Sequence, residues 1–173
     1  MARQPLSLKA RAIGLLAQRE HSRAELRRKL LRIEQQQRTR LAAARAADGG
    51  AAAELPPEDD DTDATATAIE ALLDVLATEG YLDETRFVES RVHVRAGRFG
   101  TQRIQQELAR HGLKLDVEQQ ATLRETELER AREVWHKRFG AEPSRESSEQ
   151  ARQARFLLAR GFAPDLVRRL LRA

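Results

Sequence analysis

Four histidines, His21, His93, His111 and His136, are the residues of this 173-residue chain best suited to proton transfer or metal ligation, and their spacing supports neither. They have no ligand-like spacing with one another, and there is no cysteine to complete a thiolate site or a disulfide. Gly97-Arg98-Phe99-Gly100 has glycines but lacks the lysine and hydroxyl residue of a phosphate-cradling loop. Glu58-Asp59-Asp60-Asp61 could attract cations, yet lacks the glycine and ligand spacing of a calcium loop. No nucleophile with a base, no paired carboxylates in a cleft and no metal cluster can be assembled. The chain therefore reads as a non-enzyme, with no catalytic, cofactor-binding or metal-binding residue expected. What remains is charge. Arginines and one lysine in two stretches, Arg27, Arg28, Lys29 and Arg32, then Arg91, Arg95, Arg98 and Arg103, are the candidate contacts for phosphate or carboxylate.

The distribution of charge is more informative than its net value of +4. Residues 1–47 hold twelve basic and three acidic side chains, whereas residues 48–90 hold one basic and thirteen acidic. Residues 91–115 are again basic, six to one. Such segregation suits a protein that meets a charged partner, nucleic acid or protein, although an arginine- and alanine-rich composition would produce part of it. No apolar run approaches the length of a membrane span, and Met1-Ala2-Arg3-Gln4 leads into no signal-peptide core, so a soluble cytoplasmic protein is expected.

These side chains must be positioned by helices, because the apolar residues recur at spacings of three and four and no strand pattern is present. Leu8, Ala12, Ile13 and Leu16 share one face. Ser22-Arg23-Ala24-Glu25 reads as a capping box that starts a second helix carrying Leu26, Leu30 and Ile33. Periodicity fades after Gln35 and breaks at Gly49-Gly50. With Pro56-Pro57 and the acidic run following, residues 47–64 are expected to be a disordered insert. A second box, Thr67-Ala68-Ile69-Glu70, starts the next helix, whose apolar face is Ile69, Leu72, Leu73 and Leu76. Beyond Gly80 a helix carries Phe87, Val88, Val92 and Ala96, and another carries Ile104, Leu108 and Ala109. A long helix is predicted from Asp116 to about Arg138, with Ala121, Leu128, Ala131, Val134 and Trp135 inward, ended by Gly140 and Pro143. Ser147-Ser148-Glu149-Gln150 caps a helix through Ala154, Leu157 and Leu158, and Pro164 suits the first position of the last, where Val167, Leu170 and Leu171 face inward.

Aligning Gly80, Gly112 and Gly161 puts Leu76, Leu108 and Leu157 four residues before them and Tyr81, Leu113 and Phe162 directly after. Glu84, Asp116 and Asp165 fall four residues beyond. The pattern reads as a repeated helix-turn-helix unit, with Asp83 as an N-cap and Tyr81 and Phe87 packed around the first joint. Short helices cannot bury their faces alone, so they are expected to pack in three-helix groups along an elongated array.

Three segments carry a resemblance: His21-Ser22-Arg23-Ala24-Glu25-Leu26-Arg27-Arg28-Lys29-Leu30, Gly80-Tyr81-Leu82-Asp83-Glu84-Thr85-Arg86-Phe87-Val88, and Arg103-Ile104-Gln105-Gln106-Glu107-Leu108 before Gly112. With Arg155-Phe156-Leu157-Leu158-Ala159-Arg160-Gly161-Phe162, they resemble the RecX family of RecA regulators. The acidic insert is the departure from that pattern. The resemblance implies an all-α protein of tandem three-helix repeats forming an elongated, curved helical array. It implies a first repeat from residues 1–46 and 65–82, a middle repeat over 83–126 and a C-terminal repeat over 127–173. It further implies a cytoplasmic, non-enzymatic monomer without cofactor. Such a protein would bind RecA or RecA–DNA filaments, with weak direct DNA binding as a further expectation, inhibit recombinase and ATPase activity, and damp the SOS response. A stand-alone helix-turn-helix DNA-binding regulator is the alternative; the basic residues are spread too widely for a single recognition helix.

Overall fold

The computed structural model describes residues 6–47, 58–140 and 146–172. Among them there are nine α-helices and no strand: α1 (Leu8–Leu16), α2 (Arg23–Ala47), α3 (Glu58–Thr78), α4 (Glu84–Ala96), α5 (Thr101–Ala109), α6 (Val117–Glu125), α7 (Glu127–Phe139), α8 (Ser147–Ala159) and α9 (Pro164–Arg172). They fall into two compact units, Met1–Glu84 and Thr85–Ala173. No described helix is long and apolar enough to cross a membrane.

The first unit is a three-helix group. Ala12 of α1, Leu26 and Leu30 of α2, Ile69, Leu73 and Leu76 of α3, and Leu82 form its buried core. The Ser22 hydroxyl accepts the Glu25 N–H at 3.1 Å, as the first capping box requires. Outside the core, Arg23 bridges to Glu70 and Asp74 at 2.7 Å each, and Arg27 reaches Glu70 at 2.5 Å, so two carboxylates of α3 hold two arginines of α2. Exposed pairs of this kind contribute at most about 1 kcal/mol each, so the apolar seam sets the packing and the pairs set its register.

The third helix and the first glycine joint differ from the sequence expectation. The helix of Ile69 starts at Glu58, not at the Thr67 box. The Thr67 hydroxyl donates to the Asp63 carbonyl one turn back, at 2.9 Å, which is an interior-helix bond rather than a cap. Nothing between residues 58 and 66 breaks a helix, and carboxylates in a first turn complement the helix dipole. Of the insert expected to be disordered, Ala47 closes α2 and residues 58–64 are the helical start of α3, while residues 48–57 lie outside the described residues, as does Pro143. Tyr81 is 47% exposed, and Leu82 takes the buried place beside Gly80 instead.

The second unit holds two cores. Phe87, Val88, Ile104, Leu108, Leu115 and Leu123 unite α4, α5 and α6. Ala131, Val134, Trp135, Leu157, Phe162, Val167, Leu170 and Leu171 unite α7, α8 and α9. The predicted long helix is two, divided at Thr126, where ψ is −4°. Its halves serve different cores, which one straight rod could not do. Ala121 accordingly faces solvent, and Leu123 is the buried residue of α6. Asp116 opens α6 with a full capping box to Gln119. The serine cap of α8 is also displaced: Ser147 is already helical, Glu146 precedes it, and Ser148 bonds the Glu146 carboxylate at 2.6 Å.

Gly80, Gly112 and Gly161 all have left-handed φ, at 77°, 75° and 81°. In each case the residue after the glycine donates its N–H to the carbonyl of the leucine four before it: Tyr81 to Leu76, Leu113 to Leu108, Phe162 to Leu157. The recurring leucine–glycine–apolar pattern is thus a Schellman stop made three times. It does not mark equivalent places in a repeat. Gly112 and Gly161 separate the second and third helices of a group, whereas Gly80 follows a third helix.

Candidate basic interface

The first candidate stretch lies on α2. Arg28 and Arg32 are exposed, but Arg27 is held by Glu70 and Lys29, half-buried, is engaged by His21 and Glu25. The Lys29 ammonium sits 2.9 Å from His21 Nε2 and 3.8 Å from Glu25, and His21 Nδ1 lies 2.9 Å from the Arg19 carbonyl. Burial pushes the His21 pKa down, and the positive charges of Arg19 and Lys29 push the same way against the Arg19 carbonyl and Glu25. The imidazole is neutral at pH 7, with Nδ1–H donating to the carbonyl and Nε2 accepting from Lys29. Half of this predicted surface is therefore already engaged by partners within the chain.

The second stretch is split three ways. Arg91 lies over the Phe87 ring, 5.1 Å from its centroid. Arg95 and Arg103 flank Phe99, at 5.4 and 6.0 Å, and share Glu107, whose oxygens lie 2.9 and 3.9 Å from their Nε atoms. That carboxylate offsets part of the charge expected there, so the four arginines do not form one uniform patch. Arg98 stands apart in the turn, exposed, and faces a different neighbour.

That neighbour is the end of α8. The Gly100 N–H donates to the Arg160 carbonyl at 2.9 Å, and the Gln102 N–H to the Gly161 carbonyl at 3.3 Å. A Cβ at Gly100 would stand 2.1 Å from the Gly161 oxygen, and one at Gly161 would meet Arg103 Cβ at 2.5 Å. Glycine at both positions is what lets the two turns touch. The approach places Arg98 near Arg160, whose guanidinium lies 3.8 Å over Phe156. Phe139 meets Phe156 edge-on at 5.1 Å, which brings the end of α7, with Arg138, to the same corner. Arg138 and Arg160 were not among the candidate residues. Each is a cation at the end of its own helix, a common dipole-favoured placement, and no spacing relates either to Arg98.

The turn is held from beneath by α7. Glu127 accepts from the Thr101 N–H at 3.1 Å and from the Thr101 hydroxyl at 3.0 Å, both groups being buried. Arg130 donates to the carbonyls of Ala96, Phe99 and Leu123 at 2.9, 2.8 and 2.7 Å. Burial lowers the pKa of Arg130, and Glu127 opposes that shift. Trp135 is satisfied similarly, donating to buried Gln153 at 3.0 Å. Among the described residues no group of three or more histidines and carboxylates could hold a metal ion.

Comparison with known proteins gives this arrangement a family. Residues 83–121 match the pattern described as RecX, second three-helix domain, and residues 125–171 that described as RecX, third three-helix domain. The chain is 43% identical over 173 residues to a Regulatory protein RecX of Ralstonia pickettii, covering 99% of this chain and 90% of the relative. It is 47% identical to that of Leptothrix cholodnii, over 98% and 90%, and 41% identical to that of Herminiimonas arsenicoxydans, over 100% and 96%.

Proposed function

We propose, from the premise that this chain belongs to the RecX family, that it binds RecA or RecA–DNA filaments and inhibits their recombinase and ATPase activity. It does so without chemistry of its own, as a cytoplasmic monomer, and thereby modulates recombinational repair and the SOS response. The observation that carries the reading is the likeness to regulatory proteins of that family over almost the whole chain. The basic turn of α4–α5 is consistent with it, because exposed guanidinium groups on a braced backbone can meet carboxylate or phosphate at little entropic cost.

The proposed contact is at Arg98 and Arg103, with Arg91 and Arg95 beside them and Arg28 and Arg32 as a second surface. The test is ATP hydrolysis and strand exchange by purified RecA on single-stranded DNA with increasing amounts of this protein. Dose-dependent loss of both is expected, and full activity at excess protein would overturn the proposal. Arg98→Ala with Arg103→Ala, at two salt concentrations, tests the placement. A steep loss with salt indicates phosphate contacts and a gentle one protein carboxylates. Undiminished inhibition at both salts would move the contact to Arg28 and Arg32.

A further inference from the structure

We infer that Arg98, Arg138 and Arg160 together form a binding site for a phosphate group of a nucleotide chain, made where the α4–α5 turn meets the ends of α7 and α8. The inference deepens the placement at Arg98 and takes its relevance from that reading, but it assigns two further residues and a ligand chemistry. Three facts carry it.

The convergence is built by backbone. The Gly100–Arg160 hydrogen bond and the close approach of Gly100 to Gly161 fix the turn of Arg98 against the end of α8, and the Phe139–Phe156 contact brings α7. Among the described residues none of the three cations takes part in an ion pair, unlike Arg95 and Arg103 with Glu107. Burial lowers the pKa of Arg160, and the charges of Arg98 and Arg138 push it the same way. Finally, Arg160 is already ordered, its guanidinium lying over the Phe156 ring, so less rotational freedom is lost when it binds an oxyanion.

Holding three like charges together opposes folding, and an anion supplied from outside removes that cost. A carboxylate has two oxygens, which one arginine fork satisfies. A phosphate presents oxygens in several directions and suits donors arriving from three elements. The phosphate could belong to a nucleic-acid strand or to a free nucleotide, and the experiment separates them.

The full-length protein is titrated, without RecA, against a fluorescent oligothymidylate at several salt concentrations, with inorganic pyrophosphate as competitor. Arg138→Gln with Arg98→Gln, both at exposed positions, is compared with Arg160→Gln and with Arg28→Gln plus Arg32→Gln, after melts establish folding. The Arg98/Arg138 variant should bind at least about tenfold more weakly. Its slope of log affinity against log salt should fall by roughly 0.7 for each strand phosphate that the variant no longer neutralises. Competition by micromolar pyrophosphate that disappears in the variant would support the site with a free phosphate as source; strand binding without such competition supports it with a nucleic acid. Unchanged affinity and slope overturn the inference. Retained strand binding with lost RecA inhibition also overturns it, since the site would then read protein carboxylates while the regulator reading stands. Lost strand binding with retained inhibition supports it and separates it from the RecA contact.

Discussion

Glu127 caps a helix to which it does not belong: its two oxygens take the backbone N–H and the hydroxyl of Thr101, the first residue of α5. Gly100, the residue that precedes that helix, offers no side-chain cap. The relationship recurs in the first unit, where Glu84 accepts the N–H of Arg23, the first residue of α2, at 3.2 Å. In both cases an acid at the start of one helix satisfies an orphan donor of another, two helices earlier in the chain.

Glu127→Ala should destabilise the second unit by about 3 kcal/mol, since it leaves Arg130 buried without its counter-charge and Thr101 uncapped. Urea unfolding measures this. A change below about 0.5 kcal/mol, the range of surface substitutions, would show that water replaces the carboxylate freely.

Glycine substitutions should separate local from tertiary demands. At Gly80 and Gly112 a Cβ meets nothing within 4 Å, so alanine costs only the left-handed conformation, about 1 kcal/mol. At Gly161 the same change also drives into the Arg103 backbone and should cost about 3 kcal/mol or more. Equal melting temperatures for Gly112→Ala and Gly161→Ala would refute the close approach of the two turns.

Leu76→Ala removes a fully buried side chain of the first core and should cost about 2 to 5 kcal/mol. Tyr81→Ala, at an exposed position of the adjoining turn, should cost much less. Thermal melts of the two variants give the comparison, and a reversed order would exchange their places.

Acid should weaken the first unit in two stages. His21 has a folded pKa below 6.5, so the unfolded chain takes up its proton first. Its contribution is complete above about pH 6.5 and is lost as pH falls through the folded value. Glu25, where burial is outweighed by Arg19, His21 and Lys29, and Glu70, held by Arg23 and Arg27, have folded values below 4.5. Their contribution persists above 4.5 and is lost at lower pH. Melts at about pH 7.5 and 5.5 should differ, and His21→Gln should shrink that difference. A difference unchanged in the variant would assign the first stage elsewhere.

The sequence by itself determined the helical class, the inward faces and most stops. Apolar spacing is a property of the helix, and a left-handed glycine after Leu76, Leu108 or Leu157 is a bond pattern closed within six residues. The same locality explains the errors. Three identical stops looked like equivalent places in a repeat, and Thr67-Ala68-Ile69-Glu70 looked like a start, because capping chemistry does not record what precedes or follows a helix. Only the tertiary structure decided that Thr126 divides a helix, that Lys29 faces His21, and that Glu127 caps α5. It alone brought Arg98, Arg138 and Arg160 to one corner. The last two depend on contacts between residues tens of positions apart, and the corner also on the missing side chains of Gly100 and Gly161, and no periodicity along the chain encodes a distance across it.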